Sequence, residues 1–186
     1  MIPKLVVLSG YPYSGKTTLS SFMVDELGFL RVGIDQLIKM IYNHERLNRS
    51  FRDCYTREVR ALWQQPFNDI KMQFLQAGYD TVVDSAAPFN ENRRSILHTG
   101  DIPVEKYLIF LSVDPDILRQ RSMQAMGREY DLQNWVTGGT WEEPLSAEEL
   151  GCKDVLTYPN NTLEQTGAMN ADLKRRFPRR WTPQLV

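Results

Sequence analysis

Eight residues near the amino end constrain this chain more than any other stretch. They are Gly10-Tyr11-Pro12-Tyr13-Ser14-Gly15-Lys16-Thr17, in which two glycines stand five apart and the second is followed at once by a lysine and a hydroxyl. The octet follows a short apolar run, Leu5 to Leu8, and precedes a stretch in which Leu19, Phe22, Met23 and Leu27 fall at helical spacing before Gly28. A glycine-rich turn from strand to helix lets the main chain wrap closely around an anion, with several N–H donors converging on it and the helix adding the positive end of its dipole. In such an octet the lysine reaches the β- and γ-phosphates and the hydroxyl is placed to ligate Mg²⁺. The expected ligand is therefore a nucleoside triphosphate, ATP with Mg²⁺, held by Gly10, Tyr13, Ser14, Gly15, Lys16, Thr17 and the adjoining Thr18.

The remainder of the chain alternates short apolar runs with longer amphipathic stretches, as a parallel sheet covered by helices requires. Five strands are expected, at Lys4 to Ser9, Phe29 to Ile34, Thr81 to Asp84, Lys106 to Val113 and Asp154 to Thr157. A helix is expected over Lys16 to Leu27, and a longer helical stretch over Arg52 to Ala77, broken near Gln65 because Pro66 follows. Asp114-Pro115-Asp116 reads as an N-cap with proline at the first helical position. Thr162 with Gln165 reads as a capping box for a last helix reaching about Phe177. Residues 127–150 carry Gly138-Gly139, Pro144, two tryptophans and little periodicity, and within a broader stretch of about 115–150 they form a candidate lid. Lys174 to Trp181 opens a basic tail.

In an open α/β sheet, ligands lie beyond the carboxyl ends of the strands. Asp35, Asp84 and Asp114 fall there. Phosphoryl transfer to a hydroxyl needs a carboxylate that accepts the acceptor's hydrogen bond and then its proton, and Asp35 is assigned that role, a cap on the following helix being its plainer one. Asp84 is assigned to the metal side, orienting a Mg²⁺-bound water or the acceptor, alongside Thr17. Asp114 reads as a cap. Charge developing on the transferring group calls for cations brought by a lid, and Arg128 and Arg121 are the candidates, with Arg119 nearby. Tyr130, Trp135 and Trp141 offer rings for stacking on a base, although tryptophan in a small fold more often fills the core.

Composition narrows the class. A net charge of −1 over 186 residues gives no global field toward nucleic acid or an anionic membrane, so binding of either kind must be local. Cys54 and Cys152 form no metal-ligand or redox spacing. No apolar run approaches the ~18 residues a membrane span needs, so no membrane association and a cytoplasmic, reducing setting are expected. The Asn-x-Ser/Thr triplets at Asn48 and Asn160 read as chance.

With these residues in place, the sequence resembles the small P-loop kinases that include the polynucleotide 5′-hydroxyl kinases. The likeness rests on the loop from Gly10 to Thr18, on Ile34-Asp35, on Val82-Val83-Asp84 followed by Asn90-Glu91-Asn92-Arg93-Arg94, and on the arginine-bearing stretch after Asp114, so that it spans most of residues 4–130. It implies an α/β fold, a P-loop NTPase three-layer sandwich with a five-stranded parallel sheet and a small lid, closed into one domain over 1–186. It also implies that Asp35 is the general base. The polynucleotide kinases carry an arginine one helical turn after that aspartate, where this chain has Ile38 beside Lys39. Leu118-Arg119-Gln120-Arg121 and Gly127-Arg128-Glu129 look like the lid entrance of nucleoside and nucleotide kinases. The expected reaction is transfer of the ATP γ-phosphate to a hydroxyl of a nucleoside, a nucleotide or a nucleic-acid 5′ end, with a sugar or antibiotic hydroxyl, or a non-kinase ATPase, as alternatives. The basic tail offers Lys174, Arg175, Arg176, Arg179 and Arg180 to a nucleic-acid partner, or simply forms a solvated helix end.

Overall fold

Every side chain of β1 (Lys4–Ser9) is buried, as a strand covered on both faces must be. The computed structural model describes residues 1–41, 57–127 and 142–180. Within them the chain runs β1, α1 (Lys16–Leu27), β2 (Leu30–Gly33), α2 (Ile34–Ile41), α3 (Arg57–Gln76), β3 (Thr81–Asp84), α4 (Asn90–Leu97), β4 (Glu105–Ser112), α5 (Pro115–Met126), α6 (Ala147–Leu150), β5 (Asp154–Pro159) and α7 (Leu163–Arg176). The five strands form one sheet in the order β2-β3-β1-β4-β5, each pair parallel.

Alternation along the strands divides the core. Leu5, Val7, Val32, Val83 and Leu108 face Phe67 and Leu75 of α3, Ile96 and Leu97 of α4, and Leu150 of α6. Val6, Leu8, Val82, Ile109, Leu111 and Leu156 face Leu19, Met23 and Leu27 of α1, Met169 and Leu173 of α7, and Phe177. The result is a three-layer α/β/α sandwich.

Three local features differ from expectation. The helix around Pro66 is continuous from Arg57 to Gln76, with the proline inside it. Proline removes one N–H from the ladder, yet Phe67 and Leu75, on the carboxyl side of that gap, are clamped in the core, and tertiary burial outweighs the local loss. The part of that stretch before Arg57 lies outside the described residues. β2 ends at Gly33 and α2 begins at Ile34, so Asp35 stands in the first helical turn rather than ahead of it as a cap. At the start of α7, Thr162 Oγ1 accepts from Gln165 N at 3.2 Å, but Gln165 Oε1 accepts from Asn161 N at 2.8 Å instead of closing a box on Thr162. Asp114 caps α5 as its sequence suggests, accepting from Asp116 N at 2.8 Å.

Candidate active site

Between β2 and β4 the strand order reverses at β1, and the Gly10–Thr17 loop leaves the sheet at that point. Gly10 has φ 142°, and a Cβ there would lie 2.8 Å from Leu111 O. Gly15 has φ 97°, and a Cβ there would lie 2.5 Å from Asn160 Nδ2. Neither position tolerates a side chain. Tyr13 holds φ 65°, a conformation costly for a non-glycine residue and maintained only by its surroundings.

Lys16 opens α1 and folds back across the loop. Its Nζ donates to Gly10 O at 2.8 Å, to Tyr11 O at 2.7 Å and to Ser14 Oγ at 3.4 Å. Burial pulls its pKa down to about 8, and the negative charges of Asp84 and Asp35 oppose that fall. The ammonium thus rests on the loop's own acceptors, between two carboxylates.

Asp84 ends β3, in register with Leu8 of β1 and Gly33 of β2. Its Oδ2 accepts from Thr17 Oγ1 at 3.1 Å, from Ser20 Oγ at 3.2 Å and from the Arg31 guanidinium, in an ion pair that is largely buried. Because the single Thr17 proton is committed to Asp84, the lone pairs of that hydroxyl are free to ligate a cation. A hydroxyl oriented by a carboxylate suits Mg²⁺, which takes hard oxygen donors and keeps most of its shell as water and phosphate oxygen. Among the described residues no three His, Cys, Asp or Glu side chains converge on a metal position. A cation delivered with its triphosphate needs no such cage.

Asp35 is exposed at the start of α2 and close enough to Lys16 to affect its charge. Thr18 is exposed on the first turn of α1. Arg121 reaches the outside of the loop, with Nη1 donating to Tyr13 O at 3.3 Å and Nη2 to Asn160 O at 2.7 Å. Arg119 pairs with Asp116 on its own helix. Arg128, Tyr130, Trp135 and Trp141 lie outside the described residues. The far end of the stretch read as a lid is fastened to the body. Asn90 N donates to Glu142 Oε2 at 2.7 Å, and Arg93 Nη2 donates to Glu142 O at 2.6 Å.

The basic tail sits elsewhere. Lys174 pairs with Glu26, Arg175 and Arg176 with Asp172, and Arg176 also with Asp154. Arg179 donates to Asp25 O, and Arg180 to Ile2 O. Ile2 precedes β1, whose six residues, at about 3.3 Å each, separate that end from the loop by roughly 20 Å.

The profile of the AAA domain family matches residues 5–141, which span the loop, Asp35, Asp84 and both candidate arginines. The chain belongs to the AAA domain family. Among solved structures, this AAA-domain chain is similar to a sugar kinase from Janibacter sp., at 18% identity and a TM-score of 0.66, covering 95% of this chain and 96% of the other. It is similar to the Mycobacterium tuberculosis APS kinase CysC in complex with AMPPNP and APS, at 14% identity and a TM-score of 0.60, covering 93% and 98%. It is also similar to a chain of the Pnkp1/Rnl/Hen1 RNA repair complex, at 17% identity and a TM-score of 0.57, covering 70% of this chain and 40% of that one. At these identities the likeness is one of fold, the α/β P-loop fold of the small kinases. No curated protein matches the chain.

Sequence reasoning missed three residues that organise the site of this AAA-domain chain. Arg31 carries the charge that faces Asp84, across 53 positions of sequence. Arg93 is fully buried, with Nε donating to Ser9 Oγ at 3.2 Å just before the loop and its guanidinium 5.6 Å from the Phe110 ring centre. Asn160, in a chance glycosylation triplet, is 6% exposed and donates from Nδ2 to Ser14 O at 2.7 Å. A charged residue inside an apolar strand was the one signal available for Arg31. Arg93 lies in the Asn90 to Arg94 motif, which by itself points to no role for it, and Asn160 gave no sign.

Proposed function

We propose that this chain is an ATP-dependent kinase that transfers the γ-phosphate to a hydroxyl of a small molecule, a nucleoside, nucleotide or sugar-like alcohol. One observation carries the reading: Lys16 feels two carboxylates, Asp84, which is held by Thr17, Ser20 and Arg31, and Asp35, which is exposed in the first turn of α2. The loop amides and Lys16 bind the triphosphate and neutralise charge on the transferring group. Thr17, held by Asp84, and Asp84 itself would keep the metal side, where a Mg²⁺ would supply neutralisation of β- and γ-phosphate charge. Asp35 accepts the hydrogen bond of the acceptor hydroxyl, aligns it in line with the γ-phosphorus and takes its proton. An exposed carboxylate beside the loop suits a transferase better than a switch, which has no acceptor to deprotonate.

The acceptor class is supported in two ways. The sugar kinase and the APS kinase share this fold over nearly the whole of both chains. The basic tail, paired with its own chain at the opposite end of the sheet, lends no phosphate-binding track to a polynucleotide lying across the site.

The test is turnover of γ-labelled ATP against nucleosides, nucleotides, sugars and 5′-hydroxyl oligonucleotides. Asp35→Asn is expected to lower turnover by roughly 10²–10⁴-fold while ATP affinity stays within about twofold. Bound ATP with no acceptor labelled would refute the kinase reading. Label appearing only on oligonucleotides would refute the acceptor class.

A further inference from the structure

The connection between β5 and α7 lies directly behind the phosphate loop, and Asn160 is its contact. All four polar groups of this buried residue are engaged. Its N–H donates to Ser112 O at 3.0 Å, which fixes it at the edge of the sheet, and its main-chain oxygen accepts from Arg121 Nη2 at 2.7 Å. Its side-chain Nδ2 donates to Ser14 O at 2.7 Å, and its Oδ1 accepts from Thr166 Oγ1 at 2.6 Å. The amide has only one orientation here. A carbonyl can only accept, so the NH₂ pole must face Ser14 O, and the Thr166 hydroxyl must donate to the other pole.

In a trans peptide the carbonyl and the following N–H point in opposite directions. Holding Ser14 O toward the β5–α7 connection therefore turns the Gly15 N–H away from it, to the side where the first amides of α1 open. The neighbouring peptide is held likewise, since Arg121 Nη1 takes Tyr13 O at 3.3 Å where Tyr13 has its costly φ of 65°.

We propose that Asn160 is a positioning residue of the phosphate loop: from behind, its amide holds the Ser14–Gly15 peptide with the N–H presented to the polyphosphate, and Thr166 braces the amide from its far pole. The proposal rests on the reading of Gly10–Thr17 as the triphosphate site. It names a contact 146 positions from the loop as part of its preorganisation. It also makes the start of α7 a support of the site.

The experiment measures magnesium tripolyphosphate by calorimetry and adenosine by ligand-observed NMR as separate probes, on the full chain. Asn160→Asp keeps the volume and the Thr166 contact but presents an acceptor to an acceptor. Tripolyphosphate affinity is expected to fall roughly tenfold or more in Asn160→Asp and Asn160→Ala, and about threefold in Thr166→Val. Adenosine affinity is expected to stay within about twofold in each, and Thr166→Val is expected to add nothing on top of Asn160→Ala. Undiminished tripolyphosphate binding by folded Asn160→Ala overturns the proposal, as does an equal loss of both probes. If the Asn160 variants fail to fold, Thr166→Val, which does not touch the loop, decides by the same ratio. Failure of the unaltered chain to bind tripolyphosphate or ATP would instead sink the triphosphate reading itself, and the proposal with it.

Discussion

Lys16 is expected to take up a proton when ATP binds. Its Nζ is held by Gly10 O, Tyr11 O and Ser14 Oγ, and burial brings its pKa to about 8 although Asp84 and Asp35 pull the other way. A triphosphate places several negative charges within a few ångströms of Nζ and favours the ammonium strongly. If binding restores the pKa to its ordinary value or above, proton uptake per ATP follows the unprotonated fraction of the free chain: about 0.1 at pH 7, about 0.5 at pH 8 and about 0.9 at pH 9. Because the bound form needs the proton, affinity falls as pH rises through about 8. Between pH 7 and 9 the dissociation constant rises about tenfold, and above pH 8 it approaches tenfold per unit. The ATP phosphates finish ionising below this window, since a phosphate's second pKa is about 6, so the slope belongs to the protein. Calorimetry of ATP binding in buffers of different ionisation enthalpy measures the uptake directly. Lys16→Arg, whose guanidinium stays charged throughout, is the control and should show neither uptake nor slope. A flat affinity from pH 7 to 9 with no proton uptake by the unaltered chain would refute the claim that burial, rather than the flanking carboxylates, governs this amine.

Two other substitutions probe the frame around the loop. Asp84→Asn leaves an acceptor for Thr17 and Ser20 but strips Arg31 of its counter-charge; turnover should fall on the order of a hundredfold, half-saturating Mg²⁺ should rise, and stability should drop by about 3 kcal/mol, while unchanged magnesium dependence would remove Asp84 from the metal side. Arg93→Leu abandons Ser9 Oγ, Ala87 O, Asn90 Oδ1 and Glu142 O, and should cost about 3 kcal/mol, or roughly ten degrees of melting temperature. A shift below about two degrees would show that the buried guanidinium is not a structural hub.

The parts of this chain legible in its sequence are those in which short-range chemistry and tertiary structure agree. An apolar run, a glycine at a forced turn, a lysine and a hydroxyl at fixed offsets specify β1, the loop and α1 without any distant partner, and the strand ends then place Asp84 beside Thr17. Where the two levels compete, local signals mislead. Pro66 argues for a break, and the burial of Phe67 and Leu75 carries α3 through it. Gln165 has the spacing of a box, and the actual turn geometry offers Asn161 N instead.

The supports of the site form a third category, for which no local signal names the partner. Arg31, Arg93 and Asn160 act through contacts 53, 84 and 146 residues away, and pairing at such distance leaves no periodicity to read. Arg121 shows how this bears on function. The sequence suggests a cation for the γ-phosphate, and in the structure its guanidinium bridges Tyr13 O and Asn160 O behind the loop. An arginine in that position restrains the peptide planes on both sides of it. On the proposed reading, the amides that converge on the anion are oriented from outside the loop, so the precision of the Gly10–Thr17 loop depends on the β5–α7 connection as well as on its own glycines.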